Sequence, residues 1–211
     1  MTLSDVTVVR GDEELFARTA HLFESATDIA CAADNLHTWA VSRPAPPPTG
    51  PVTDKRVRKI YRPGVLLNRT SALELRTIRA EIRITTQEIN ETILLDRRVA
   101  ILAGDPGTGT AARTYTVVSK PELVQGICSL FEAAWRSATD LAGFDARFAE
   151  LRLQAPQILD LLSSGCTDEA AARTLGVGLR TYRRRVAELM SALGASSRFQ
   201  AGARAREAGL L

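Results

Sequence analysis

The sequence predicts an α/β domain followed by a smaller domain built from helices. Between Val6 and Thr139, short apolar runs of strand length alternate with helical patterns, and beyond this region the pattern is helical. The chain has 211 residues, of which 45% are hydrophobic, so it is long enough to bury two small cores. The predicted boundaries are 1–140 for the α/β domain, 141–152 for a helical linker and 153–211 for the helical domain.

The first elements of the α/β domain are separated from the rest by a proline-rich segment. A helix is predicted at residues 12–25, which begin with acidic residues, and a buried strand at residues 27–33. Residues 42–51 (SRPAPPPTGP) form neither, because prolines fix φ and remove hydrogen-bond donors. We interpret this segment as an exposed, semi-rigid connector, with a proline-rich ligand for another domain as the alternative.

The second half of the α/β domain contains most of the predicted strands. Residues 55–67 alternate basic and apolar side chains and predict a strand, and residues 71–80 predict a helix capped by Thr70 or Ser71. The segment GDPGTG at 104–109 lacks the Gly-Lys-Ser/Thr order of a phosphate-binding loop and predicts a hairpin turn. The other elements expected are strands at 81–85, 92–96, 99–103 and 115–118 and a helix at 121–139.

The helical domain centres on two helices joined by a tight turn, between Gly165 and Leu193. Thr167 is a predicted N-cap, and the acidic residues after it suit the first turn of a helix. Gly176 can adopt φ > 0 and end that helix, and the chain restarts at Gly178. This layout is that of a helix-turn-helix, in which the second helix enters the major groove of DNA.

The second of these helices has an apolar side and a basic side. At about 100° per residue, Arg180, Arg184 and Ala187 point away from the apolar stripe, and Arg183 and Arg185 lie on its flanks. Arginine bonds guanine bidentately or clamps a phosphate, and the net charge of +3 is concentrated in this part of the chain. This face indicates DNA binding, with a solvated basic helix as the alternative. The apolar stripe consists of Leu179, Tyr182, Val186, Leu189, Met190 and Leu193.

Several segments of the helical domain match the LuxR-type (GerE-like) DNA-binding domain. GCTDEAA at 165–171 is similar to the family's G-x-[ST]-[ND]-[KE]-E-[IA]-A segment, and LGA at 193–195, followed by Ser-Arg, is similar to its ending. Arg185 stands where the family has histidine, and Tyr182 where it has a small β-branched residue. The resemblance covers about the last quarter of the chain and implies a four-helix, sequence-specific DNA-binding domain of a bacterial transcriptional regulator.

The candidate DNA contacts divide by role. Arg183 and Arg184 are predicted to reach base edges, and Ala187 to lie near a thymine methyl group. One small domain gives little specificity, so we expect a homodimer on a pseudo-palindromic site in double-stranded DNA. Phosphate contacts are predicted for Thr167, Arg180, Thr181 and Arg185.

The α/β domain resembles one half of the phospholipase D fold, as found in degenerate sensor domains of some bacterial regulators. That family's active site reads H-x-K-x-x-x-x-D. Placing Asp96 on the final aspartate puts Ile89 at the histidine and Glu91 at the lysine. Without the nucleophile we expect no enzyme activity but a sensor or dimerisation domain. The alternatives are a phosphodiesterase with a DNA-binding tail and a constitutive DNA-binding interaction protein without a ligand.

Other features of the sequence limit which ligands the protein is expected to bind and where it is expected to be located. His37, Trp39 and Arg62 are candidates for contacting a small-molecule ligand, with ordinary packing or surface placement as the alternative. The three cysteines lie far apart and only two histidines accompany them, so neither a metal site nor a cofactor is expected. With no apolar run of about 20 residues and no secretory signal, we expect no membrane contact and a cytoplasmic location.

Overall fold

The computed structural model describes residues 5–34, 55–104 and 112–211, which belong to two compact units. The first unit lies within Met1–Ile60, Arg79–Arg83 and Ile89–Ala138, and the second within Tyr61–Ile78, Ile84–Glu88 and Thr139–Leu211. The predicted connector at 42–51, His37 and Trp39 lie outside the described residues, as does most of the predicted turn at 104–109.

Eight strands, seven α-helices and a short 3-10 helix (Pro63–Leu66) make up the described part of the chain. The strands are β1 (Val6–Arg10), β2 (Asp28–Ala33), β3 (Arg56–Tyr61), β4 (Glu81–Ile84), β5 (Thr92–Leu95), β6 (Val99–Ala103), β7 (Thr114–Val118) and β8 (Thr139–Asp140). The α-helices are α1 (Asp12–Ser25), α2 (Arg69–Thr77), α3 (Pro121–Ser137), α4 (Leu141–Ser163), α5 (Asp168–Thr174), α6 (Leu179–Ala192) and α7 (Arg198–Glu207).

The first unit is a mixed α/β arrangement around one sheet, as predicted. Its strands run in the order β1-β7-β6-β5-β2-β3-β4, and the pairs β1/β7, β7/β6, β6/β5 and β5/β2 are antiparallel. All four side chains of β5 are buried, which explains its uninterrupted TILL sequence. Helix α3 covers the sheet with one apolar face, which packs against Ile60, Leu94 and Val118. The core residues contributed by α3 are Val124, Cys128, Phe131 and Trp135.

A buried arginine lies inside this core. The side chain of Arg58 is 6% exposed, and its Nη1 lies 2.9 Å from Oε1 of Glu132. The guanidinium carbon is 5.4 Å from the ring centroid of Phe131 and 5.5 Å from that of Trp135. The carboxylate and the two aromatic faces compensate for removing this charge from water.

The second unit contains α2, the 3-10 helix and α4 to α7. Its core joins residues of the four carboxyl-terminal helices with Leu67, which follows the 3-10 helix and is 2% exposed. The unit therefore takes in two segments, Tyr61–Ile78 and Ile84–Glu88, that lie well before residue 153 in the sequence. The predicted linker at 141–152 is the first half of the continuous helix α4.

Two sequence predictions in this region were wrong. The strand predicted at 55–67 ends at Tyr61, because Pro63 begins a 3-10 helix and proline cannot donate to a strand ladder. Helix α2 is capped by Asn68 rather than by Thr70 or Ser71. The Asn68 side-chain oxygen accepts hydrogen bonds from the backbone N–H groups of both of these residues, at 2.9 and 3.3 Å.

Asp96 has a structural role in the first unit. It occupies the tight turn between β5 and β6 at a φ of 49°, and its Oδ1 accepts from the backbone N–H groups of Thr27 and Asp28, both at 2.8 Å. The Thr27 hydroxyl donates to the same oxygen at 3.0 Å. These hydrogen bonds, first that from Asp28, lower the Asp96 pKa from its ordinary value.

We predict that Asp96→Ala lowers the free energy of unfolding at pH 7 by about 1–2 kcal/mol, because two backbone donors lose a charged acceptor. The folded-state pKa lies below the ordinary value of 3.8, so the stabilisation is present above that value and is lost as the pH falls through the lowered pKa. The difference in free energy of unfolding between wild-type protein and Asp96→Ala, measured with urea, should therefore become smaller below about pH 4. Asp160→Ala, at an exposed aspartate of α4, is the control. A difference that is independent of pH would contradict this role of the ionised carboxylate.

Candidate nucleic-acid interface

The α5–turn–α6 segment has the N-cap and the glycine turn that its sequence predicts. The Thr167 hydroxyl accepts from the Ala170 N–H at 3.2 Å, which confirms the predicted N-cap. Gly176 ends α5 with a φ of 65°, its N–H bonds the Arg173 carbonyl at 3.1 Å, and the Val177 N–H bonds the Ala172 carbonyl at 3.0 Å. This pair of bonds is a Schellman motif, so the turn is fixed by backbone geometry.

Helix α6 buries the predicted apolar stripe. Tyr182, Val186 and Leu189 are 1%, 3% and 0% exposed, and they pack in the core of the second unit together with Ala171 and Ala172 of α5. The two alanines let α5 approach α6 closely. The rotation of α6 about its axis is therefore set by the side chains it buries.

The opposite side of α6 is open to solvent. Arg180, Arg184 and Ala187 are all exposed, and Thr181 is half-buried beside them. Arg184 Nη1 donates to Glu188 Oε1 at 2.7 Å, and 63% of the arginine side chain is exposed. Among the described residues, Arg180 has no ion-pair partner. We call Arg180, Arg184 and Ala187 the open face of α6.

The two flanking arginines are bound to other helices. Arg183 Nε donates to Asp168 Oδ2 at 2.9 Å, and 58% of its side chain is exposed. Arg185 pairs with Glu150 of α4, and its side chain is only 12% exposed. Both contacts fix the position of α6, and Arg185 is the least accessible of the predicted phosphate-contacting arginines.

Asp168 connects three helices of the second unit. Besides Arg183 on α6, its carboxylate pairs with Arg198 at the start of α7, with 2.8 Å between Asp168 Oδ1 and Arg198 Nη1. The hydrogen bonds from Arg198 and then Arg183 lower the Asp168 pKa. Burial, with a smaller contribution from this carboxylate, raises the pKa of the Tyr182 hydroxyl. Asp168 therefore remains an anion that holds both arginines in place at neutral pH.

Arg62 lies in the second unit, beside the turn that follows α6. Its Nη1 donates to the Gln87 carbonyl at 3.0 Å. Its Nη2 lies 2.9 Å from the point where a side chain at Gly194 would place Cβ, and Gly194 has a φ of 65°. This environment is a packed backbone turn. The other two predicted ligand residues, His37 and Trp39, lie outside the described residues.

The positions aligned with the phospholipase D motif hold a structural ion pair. Glu91 is 9% exposed, pairs with Arg113, and its Oε1 accepts from the Asp34 N–H at 3.1 Å. Ile89 packs against the core of the first unit. Nearby, burial raises the pKa of the Cys31 thiol to about 12, which keeps it protonated and unreactive.

Two features are absent from the described part of the chain. No group of three or more His, Cys, Asp or Glu side chains there is placed to hold a metal ion. None of the described helices combines the length and the apolar character needed to cross a bilayer.

The chain is related to a regulatory protein. Over 139 residues it is 35% identical to the bialaphos biosynthetic pathway regulatory protein of Streptomyces hygroscopicus, a match that covers 65% of this chain and 54% of that protein. The chain thus spans about half the length of this relative. No protein-family model matches the chain.

Three solved structures show distant likeness. TrmBL2, an archaeal chromatin protein described as having a novel mode of DNA binding, has a TM-score of 0.46 at 16% identity, over 65% of this chain and 54% of that one. NucT from Helicobacter pylori has a TM-score of 0.46 at 10% identity, over 64% of this chain and 98% of that one. Nuc, a phospholipase D family member from Salmonella typhimurium, has a TM-score of 0.45 at 11% identity, over 64% of this chain and 96% of that one. Scores this low do not establish a shared fold.

The turn between α5 and α6 supports a prediction with a matched control. Gly176→Ala should lower the free energy of unfolding by about 1–2 kcal/mol, because alanine is strained at a φ of 65°. Gly202→Ala, inside α7, should raise it by roughly 0.5–1 kcal/mol, because that glycine has helical geometry and open space around it. Denaturant unfolding of both variants measures whether the free energy of unfolding falls in Gly176→Ala and rises in Gly202→Ala. Equal effects at the two positions would contradict the role of Gly176 in the turn.

Proposed function

We propose that this protein is a sequence-specific DNA-binding transcriptional regulator that reads the major groove with α6 of a LuxR-type helix-turn-helix. The observation that carries this proposal is the open face of α6. The buried stripe directs Arg180, Arg184 and Ala187 to solvent together, on a helix that ion pairs to α4 and α5 hold in place. The relation to a pathway regulatory protein supports the same class of function.

The residues of α6 take different roles in this proposal. Arg184 reads a base edge, because its guanidinium is exposed and its contact within the protein is an i,i+4 pair that exchanges readily for DNA. Arg180, one turn earlier, contacts a phosphate, and Ala187 lies against a thymine methyl group. Arg183 contributes its exposed end while Asp168 holds its Nε. Thr167 and Thr181 contact phosphates near the turn.

Arg185, for which the sequence predicts a phosphate contact, has a different main role in this proposal. Its side chain is 12% exposed and paired with Glu150, so its main contribution is to position α6 against α4. Long-range attraction for the phosphate backbone does not require direct contact, and Arg185 still adds to the local positive potential.

The proposal includes a homodimer and a non-catalytic first unit. Two copies of α6 would occupy successive major grooves about 34 Å apart on a pseudo-palindromic site. In the first unit, Glu91 and Ile89 replace the nucleophilic machinery of phospholipase D with an ion pair and a core side chain. We therefore assign this unit to dimerisation or the sensing of a small molecule, and not to phosphodiester hydrolysis.

The central prediction separates base reading from phosphate binding. Arg184→Ala should weaken binding to the preferred duplex by about 1–3 kcal/mol and relax the preference at one base position. Arg180→Ala should weaken all sequences about equally and reduce the salt slope by about 1. Binding is measured by fluorescence anisotropy at several salt concentrations, on a duplex that wild-type protein enriches from a random library. Arg79→Ala, an exposed arginine of the first unit, is the control. Unchanged affinity and preference in Arg184→Ala would contradict the proposed orientation of α6.

A second prediction concerns the competition between Glu188 and DNA for Arg184. Glu188→Gln should tighten DNA binding about twofold, because an exposed i,i+4 pair of roughly 0.3–0.5 kcal/mol no longer has to be broken. The effect should disappear in the Arg184→Ala background, which a double-mutant cycle measures. Glu13→Gln, on α1, removes the same charge from the first unit and serves as the control. Weaker binding by Glu188→Gln would indicate that Glu188 itself contacts a base.

A further inference from the structure

We propose that the exposed face of α3 pairs antiparallel with the same face of a second copy of this chain and forms the homodimer contact. This inference rests on the dimer of the proposed function and assigns its location to one helix of the first unit. Helix α3 has two faces, one packed against the sheet and the other facing solvent.

The exposed side of α3 carries apolar side chains at regular spacing. Leu123 is 47% exposed and Leu130 is 72% exposed, and the small residues Gly126 and Ala133 are exposed beside them. Leucine and a small residue alternate at spacings of three and four along this stripe, which is the a/d spacing of a helix that packs against another helix. The opposite side of α3 is already buried against the sheet.

Gly126 is the strongest single feature of this face. It lies inside a 17-residue helix, where glycine is less favourable than alanine, and a Cβ built on it would meet nothing within 4 Å. The described part of its own chain therefore gives no packing reason for the missing side chain. An antiparallel copy supplies one, because Leu130 of one copy then lies over the gap at Gly126 of the other.

The charges at the two ends of the stripe favour a second copy of α3 as the partner, packed antiparallel to the first. Glu122 and Arg136 are exposed, are 14 residues apart and lie on the same flank of α3, about 21 Å apart along the axis. Within the described part of the chain neither has an ion-pair partner. Antiparallel pairing brings Glu122 of each copy toward Arg136 of the other, whereas parallel pairing places like charges at the same end.

The first test is the dissociation constant of the full-length dimer, measured by sedimentation velocity in the absence of DNA. Leu130→Asp should weaken the dimer at least tenfold, whereas Leu73→Asp, at a 61% exposed leucine of α2, should leave it unchanged. Gly126→Gln should also weaken it, and because this change improves helix propensity, loss of folding cannot explain the result. A monomeric wild-type chain, or a dimer that Leu130→Asp leaves intact, would overturn the proposal.

A charge exchange tests the direction of pairing. Glu122→Arg and Arg136→Glu should each weaken the dimer severalfold, because each places like charges opposite one another. The double variant should recover most of the wild-type affinity. Two weakening single changes without recovery in the double variant would contradict the antiparallel register.

These measurements separate the dimer contact from the DNA-binding function. If Arg184→Ala leaves DNA binding intact while Leu130→Asp abolishes the dimer, the proposed function fails and the α3 contact stands. If Leu130→Asp leaves the dimer intact while Arg184→Ala impairs DNA binding, the α3 contact fails and the function stands.

Discussion

Burial of one side of α6 is the constraint on which the candidate site depends. Tyr182, Val186 and Leu189 are almost completely excluded from water, and turning the helix about its axis would expose them. The open face of α6 on the other side is consequently directed into solvent. The Asp168 carboxylate further fixes α6, because its ion pairs with Arg183 and Arg198 join α5, α6 and α7. The fold thus presents a positively charged helix face at little conformational cost.

Much of the local structure around α6 was predictable from the sequence because short-range chemistry determines it. The N-cap at Thr167, the positive φ of Gly176 and the apolar spacing of α6 each depend on residues a few positions apart. In the first unit the same holds for helix α1, which has the predicted bounds, and for β5 and β6. A period of about 3.6 residues or a short uninterrupted apolar run is sufficient to predict such elements.

Contacts between distant residues were not predictable in this way. Arg185 and Glu150 are 35 positions apart, and no local pattern indicates that they pair. Leu67 likewise joins the core of the helical unit from far along the chain. The cap of α2 was missed for a different reason, since Asn68, Thr70 and Ser71 are all good capping residues and only backbone geometry decides among them. The register of the strands in the sheet of the first unit is similarly non-local.

The central claim, that α6 is the element that reads DNA, is tested most directly by photocrosslinking. Duplexes enriched by the full-length protein would carry a diazirine-modified thymine at successive positions, because its carbene reacts with side chains of any type. Crosslinked peptides would be identified by mass spectrometry. The account predicts crosslinks within residues 180–187, concentrated on the open face of α6, and their loss when salt dissociates the complex. Crosslinks confined to the first unit, with none in α6, would contradict it.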